Sequence, residues 1–164
     1  MRSSLERFEA VTRALARLPR QEPATQPAAI APTLHPFDSR NIHPALPAKV
    51  RELFDDGHYP EATSLGFKYL DKKVQKHSSI TETGFKFMMA AFDGAAPKVK
   101  LNPLATSSEK DEQQGYRFVF AGGMQGIRNP RAHEVTIVDD PDTCLDHLSL
   151  VSLLLRRLEQ AGYK

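Results

Sequence analysis

The stretch EKDEQQGYRFVFAGGMQGI, residues 109–127, decides whether the fold is mainly helical or mixed. Its segment YRFVFA alternates as a β-strand does. Its acidic start and the four-residue spacing of Gly122 and Gly126 favour instead a helix that a second helix crosses closely. We therefore predict a helix. The segment GGMQG lacks the following Lys-Ser/Thr of a phosphate-binding loop, so its glycines indicate close backbone approach.

Helical spacing of apolar residues continues on both sides of this stretch. It predicts four further helices, over residues 48–56, 60–77, 84–93 and 143–162. Gly57 and Gly94 are suited to end helices, and Pro60 is suited to open one. Asp140 and Pro141 supply a cap and a first-turn proline for the last helix.

Two short segments alternate as strands do. Residues 98–101 and residues 135–138 are compatible with a short β pair. The predicted fold class is therefore mainly α, a helical bundle with room for this one pair of strands.

The first 43 residues differ in composition from the rest of the chain. Residues 1–18 predict an amphipathic helix whose apolar stripe comprises Leu5, Phe8, Val11, Leu15 and Leu18. Residues 19–43 form a proline-rich linker, because repeated prolines remove helical hydrogen bonds and hold the chain extended. Residues 44–164 form the predicted helical domain. The isolated stripe needs a partner surface, and self-association would supply one.

Composition excludes several classes of protein. The 164 residues are 40% hydrophobic and 26% charged, with a net charge of +2, so any contact with nucleic acid must be local. The single cysteine, Cys144, excludes an intrachain disulfide. No stretch has the apolar length of a signal peptide or of a membrane-spanning helix. We expect a cytoplasmic protein that does not associate with membranes.

The stretch GIRNPRAH, residues 126–133, contains the groups best suited to chemistry. On an unbroken helix Arg128 and His133 would lie about 140° apart around the axis. Pro130 is expected to bias Asn129 out of helical geometry, so that a kink directs both side chains into one cleft. A guanidinium binds phosphate oxygens, and an imidazole exchanges protons near neutral pH. Together they suit cleavage of RNA by its own 2′-hydroxyl, without a metal.

Other readings of the polar residues compete with this one. The Arg-x4-His spacing alone also fits a structural turn with a solvated histidine. The histidines show no i,i+4 pair and no HExxH, which argues against a metal enzyme. The acidic cluster of Asp139, Asp140 and Asp142 fits a helix start better than a divalent-ion site.

Basic residues outside the motif have two interpretations. Arg131 adds an RNA contact or is an exposed surface arginine. Lys72 and Lys76 belong to a lysine face of the helix predicted over residues 60–77, which either contacts RNA or is solvated surface.

Four ordered blocks carry a resemblance to a known family. They are GHYPEA (57–62), GFKFMMAAF (84–92), FAGGMQGIRNPRAH (120–133) and SLLLRRLE (152–159). Together they resemble a bacterial and phage family of hypothetical proteins often labelled Ymh. That family is similar to the HEPN superfamily of small helical proteins, whose motif is an arginine, an adjacent polar residue and a histidine after four intervening positions. Arg128, Asn129 and His133 match that motif.

The resemblance implies a fold and an activity. HEPN proteins are helical bundles, and many are metal-independent ribonucleases that act as toxins or in phage defence and bring two motif copies together in a homodimer. It implies catalytic roles for Arg128, Asn129 and His133, with RNA as a partner and no cofactor. A higher homo-oligomer or a regulatory protein partner is compatible with this. The alternative is a non-catalytic HEPN module that binds a nucleotide or protein and oligomerises through its N-terminal helix.

Overall fold

Helices make up most of the described part of the chain. The computed structural model describes residues 34–94, 96–134 and 136–164. The elements are α1 (Pro36–Ser39), α2 (Ala48–Asp55), α3 (Tyr59–Ser78), α4 (Gly84–Ala91), α5 (Ser107–Gly122), the π-helical turn π1 (Gly123–Arg128), α6 (Asn129–His133) and α7 (Pro141–Gln160). The prediction of a mainly helical fold is confirmed.

The described unit begins before the predicted domain boundary. It extends over Leu34–Lys164, so the last ten residues of the predicted linker belong to it. Phe37 on α1 and Ile42 are buried against Val50 and Phe54 of α2, which explains why this proline-containing stretch folds onto the helices. The helix predicted over residues 1–18 and the remainder of the linker lie outside the described residues.

Residues 109–127, on which the predicted fold class depends, are helical, as predicted. Thr106 caps α5: its hydroxyl accepts from the Glu109 N–H at 3.2 Å, and Glu109 Oε2 accepts from the Thr106 N–H at 3.0 Å. Phe120 is fully buried and stacks on Phe92 with ring centroids 4.4 Å apart, while Phe118 remains exposed. The alternating pattern therefore reflects one buried and one exposed helix face.

The longest helices, α3 and α7, pack against each other. Gly66 permits the close approach, since a Cβ at this position would lie 2.7 Å from Leu148 Cδ2. Phe67 and Leu70 are fully buried in the core between the helices. Complete burial of each such side chain stabilises the fold by about 1.5–3 kcal/mol.

Most helix boundaries follow the predicted signals. Gly57 adopts a positive φ of 79° after α2, and Pro60 lies in the first turn of α3. Gly94 also has a positive φ, of 80°, just after α4. The Asp140 carboxylate accepts from the Thr143 N–H at 2.8 Å and caps α7.

The prediction of a short β pair is wrong. No strand forms within the described ranges, which include residues 98–101 and 136–138. A side chain takes the place of a partner strand. Gln113 on α5 accepts from the Leu101 N–H at 2.8 Å and donates to the Val99 carbonyl at 2.9 Å. The Val99 N–H donates to the Ala91 carbonyl and the Lys100 N–H to Tyr163 Oη, so the backbone of this segment is bonded without a second strand.

Across the parts of the chain that the structure describes, no helix has both the length and the apolar composition required to cross a membrane.

Candidate active site

The motif lies on a helix that continues directly out of α5. The chain passes through π1 into α6 without leaving helical geometry, and Asn129 has φ −61° and ψ −47°. The predicted kink at Asn129 is therefore wrong. Pro130 lies in the first turn of α6, and the wider π-helical turn before it relieves the clash between its ring and the preceding turn. Such π-helical turns are frequent at functional sites.

The two principal motif residues lie at different positions on this continuous helix. From Arg128 to His133 a regular helix advances about 7.5 Å and turns about 140°. Arg128 is half-buried at the end of π1, whereas His133 is exposed at the last position of α6. The two side chains therefore differ in exposure.

Asn129 contacts Arg128 directly. Arg128 Nη1 donates to Asn129 Oδ1 at 3.2 Å, and Asn129 Nδ2 lies 3.5 Å from Gln125 Oε1. The His133 side chain is exposed and makes no hydrogen bond to any described residue. The structure thus brings Arg128 and Asn129 into contact.

A buried carboxylate lies on α3, the helix that packs against π1. Asp71 is only 2% exposed, and its Oδ1 accepts from the Gly84 N–H at 3.2 Å. Burial raises the pKa of the Asp71 carboxyl, while the Gly84 N–H and the positive charges of Arg128 and Lys72 oppose that rise. Arg128 Nε is itself buried and has no hydrogen-bond partner among the described residues.

Sequence reasoning missed Asp71, although a signal was present. The residue lies four positions after Phe67 and three before Val74, both fully buried on the apolar face of α3. A carboxylate within an apolar stripe is rare unless it is paired or functional.

Arg131, predicted as an RNA contact or a surface residue, is held inside the protein. Its Nε and Nη2 donate to the two carboxylate oxygens of Asp139 at 2.5 and 2.6 Å, and its Nη1 donates to the Ile127 carbonyl at 3.1 Å. The two side chains are 12% and 5% exposed. This pair, here called the Arg131–Asp139 clamp, ties α6 to the segment before α7 and occupies the guanidinium.

The charges of the Arg131–Asp139 clamp act on His147 of α7. Burial lowers the pKa of His147, and the charge of Arg131 lowers it further. Its Nδ1 is buried without a hydrogen-bond partner among the described residues. The ring is therefore kept neutral at physiological pH.

The predicted lysine contacts lie on the exposed side of α3. Lys72 is next to Asp71 in sequence, and its Nζ donates to Gln75 Oε1 at 2.9 Å. Lys76 lies one turn further on, where its Nζ is 3.5 Å from the Lys164 carbonyl. Only Lys72 is coupled to the buried site, through its charge on Asp71.

One face of the rod formed by α5 and π1 is not covered by any described residue, and we call it the glycine face. It comprises Gly115, Phe118, Val119, Gly122 and Gly126. A Cβ at each of its three glycines would meet nothing within 4 Å, and its two larger residues are 54% and 40% exposed. The face runs along the helix toward the motif, so a surface that approached it closely would also approach Asn129.

The motif does not line the cleft of about 670 Å³ between the end of α4 and α5. Several polar side chains of that cleft are occupied by the protein itself: Arg117 donates to the Met89 carbonyl at 3.0 Å and pairs with Asp93 at 2.7 Å. This leaves few groups free to recognise a small molecule.

These features define a helical domain that carries an Arg-Asn-x-x-x-His motif at the end of a π-helical turn. The chain belongs to the family Hypoth_ymh, whose model matches residues 40–158 and which is described as a protein of unknown function. Neither a curated protein nor a solved structure matches the chain.

Proposed function

We propose that this chain is a metal-independent endoribonuclease of the HEPN type that acts in phage defence or as a toxin. The observation that supports the proposal is the environment of Arg128 and His133 in the motif. The guanidinium of Arg128 is anchored by Asn129, while His133 is exposed and unbound on the same short helical segment. Phosphate binding requires a guanidinium that is held in place, and proton transfer requires an imidazole that the substrate can reach.

The proposed reaction uses the 2′-hydroxyl of RNA as the nucleophile. His133 removes its proton, the oxygen attacks the adjacent phosphorus, and the bond to the 5′-oxygen breaks to leave a 2′,3′-cyclic phosphate. Arg128 binds the phosphate oxygens as negative charge accumulates on them, and Asn129 keeps the guanidinium in place. The leaving 5′-oxygen takes a proton from the partner's His133.

A homodimer supports this scheme, because a second copy of the chain would supply the second His133 that protonates the leaving 5′-oxygen. The glycine face offers a surface for a second copy: its glycines allow two helix backbones to approach closely, and its exposed Phe118 and Val119 gain from burial. Contact there would bring two motif copies near each other. Lys72 and Lys76 would bind flanking phosphates, and Arg131 is left out because Asp139 occupies it.

The experiment that tests the proposal is cleavage of single-stranded RNA in EDTA by the wild-type chain and by His133→Ala. We expect the variant to lose about 10²–10⁴-fold in rate, as is typical when a general base is removed. Products should end in a 2′,3′-cyclic phosphate. His58→Ala is the matched control, since it also removes an exposed imidazole, one without a side-chain capping bond.

Three outcomes would count against the proposal. Equal cleavage by the wild-type chain and His133→Ala would refute the role of His133. Cleavage that stops in EDTA would refute metal independence. RNA binding without cleavage by the folded wild-type chain would favour the alternative, a HEPN module that binds a nucleotide or protein and oligomerises through its N-terminal segment.

A further inference from the structure

The junction of α3, α4 and π1 contains two opposite charges that are each incompletely satisfied. The Asp71 carboxylate is almost fully buried, and its hydrogen bond from the described residues comes from the Gly84 N–H at 3.2 Å. An ionised carboxylate removed from water costs several kcal/mol unless charges or further donors compensate it. Helix α3 packs against π1, where Gly123 lies against Phe67 and where Arg128 is the last residue, so the positive charge of Arg128 acts on Asp71.

Arg128 supplies the positive charge of this junction. Its Nε is buried and has no hydrogen-bond partner in the described part of the chain. Its Nη1 is held by Asn129 Oδ1 at 3.2 Å. One hydrogen bond fixes a point on the planar guanidinium but allows the plane to rotate about it, so a second point of attraction is needed to set its orientation.

We propose that Asp71 is the positioning residue of Arg128, attracting the buried Nε end of the guanidinium while Asn129 holds Nη1. The remaining N–H groups then face outward, where a phosphate binds. Among the described residues Asp71 and Arg128 form no direct ion pair, so the guanidinium is oriented without its donors being consumed. The part of this inference that concerns RNA rests on the proposed function.

The test is Asp71→Asn in the full chain. Asparagine has the same shape and keeps an oxygen that can accept from the Gly84 N–H, so only the charge is removed. The readout is the Nε–Hε signal of Arg128 by ¹⁵N NMR, assigned by its loss in Arg128→Lys. We expect the slow exchange of this proton with water in the wild-type chain to be lost in Asp71→Asn. Glu61→Gln is the control, because it removes an exposed carboxylate from the same helix.

An Arg128 Hε signal that keeps its shift and its exchange rate in Asp71→Asn would overturn the proposal, whatever happens to RNA. In RNA cleavage, we expect Asp71→Asn to lower kcat about ten- to hundredfold, the order of loss that a misplaced group causes. Asp71→Asn should add nothing in an Arg128→Lys background. An additive loss would overturn the proposal. A wild-type chain that cleaves no RNA but shows the NMR change would refute the ribonuclease and support the positioning role.

Discussion

Gly122 and Gly123 are neighbours on one helix, yet the same substitution to alanine should change the free energy of unfolding in opposite directions. Both residues have helical φ and ψ, so alanine is favoured over glycine by about 0.8–1.0 kcal/mol at either position. At Gly122 the new methyl group meets nothing within 4 Å. We therefore expect Gly122→Ala to stabilise the isolated chain by about 1 kcal/mol.

At Gly123 the new methyl group would lie 2.7 Å from Phe67 Cε1. Carbon atoms pack best at about 3.5–4.0 Å, so the ring must move by about 1 Å. Phe67 is fully buried and cannot swing toward solvent. Overpacking of this kind costs about 1–3 kcal/mol, which exceeds the gain in helix propensity. Gly123→Ala should therefore be destabilised by up to about 2 kcal/mol.

The assay is urea denaturation followed by circular dichroism, at low and at high protein concentration. The propensity gain is common to both variants, so the difference between them isolates the contact with Phe67 and should be about 1–3 kcal/mol. If the glycine face binds a second copy, the gain from Gly122→Ala should shrink at high concentration, where dimers form. Equal stability of the two variants would refute the close packing of Phe67 on π1.

Three further predictions concern stability. Thr106→Ala removes the cap of α5 and should cost about 1 kcal/mol in urea denaturation; an unchanged midpoint would show that the capping box contributes nothing. Asp139→Asn leaves Arg131 buried without its counter-charge and should cost about 3–5 kcal/mol, and a loss below 1 kcal/mol would contradict this. Burial raises the pKa of Asp71, so the stability that its protonated form contributes is fully present below the unfolded pKa of about 3.9 and is lost as pH rises through the folded pKa. Asp71→Asn should therefore flatten the decline of stability above pH 4, which denaturation from about pH 4 to 7 would measure.

Local signals predict the helices well, because their causes lie within a few residues. Gly57, Pro60 and Asp140 act through backbone conformation and capping, which neighbours along the chain determine. The prediction of a strand over residues 98–101 was wrong, because Gln113, which is distant in sequence, bonds to the backbone of this segment. An alternating pattern shows only which side chains are buried and cannot show what satisfies the backbone.

The backbone geometry of the motif was not predictable from its sequence. The rule that proline disturbs the preceding residue suggested a kink at Asn129, but the chain accommodates Pro130 by widening the turn before it. Asp71 was missed because helical periodicity separates apolar from polar residues and has no class for a buried charge.

The Arg131–Asp139 clamp makes the loop between α6 and α7 tolerant of insertions and changes of sequence. The clamp fixes both ends of that loop, so its length does not determine where α6 or α7 lies. Doubling the length of a flexible loop costs only about 0.6 kcal/mol. Val138 is 90% exposed just before the clamp closes. An inserted peptide tag or fluorophore should be tolerated there, close enough to His133 to report on what approaches it.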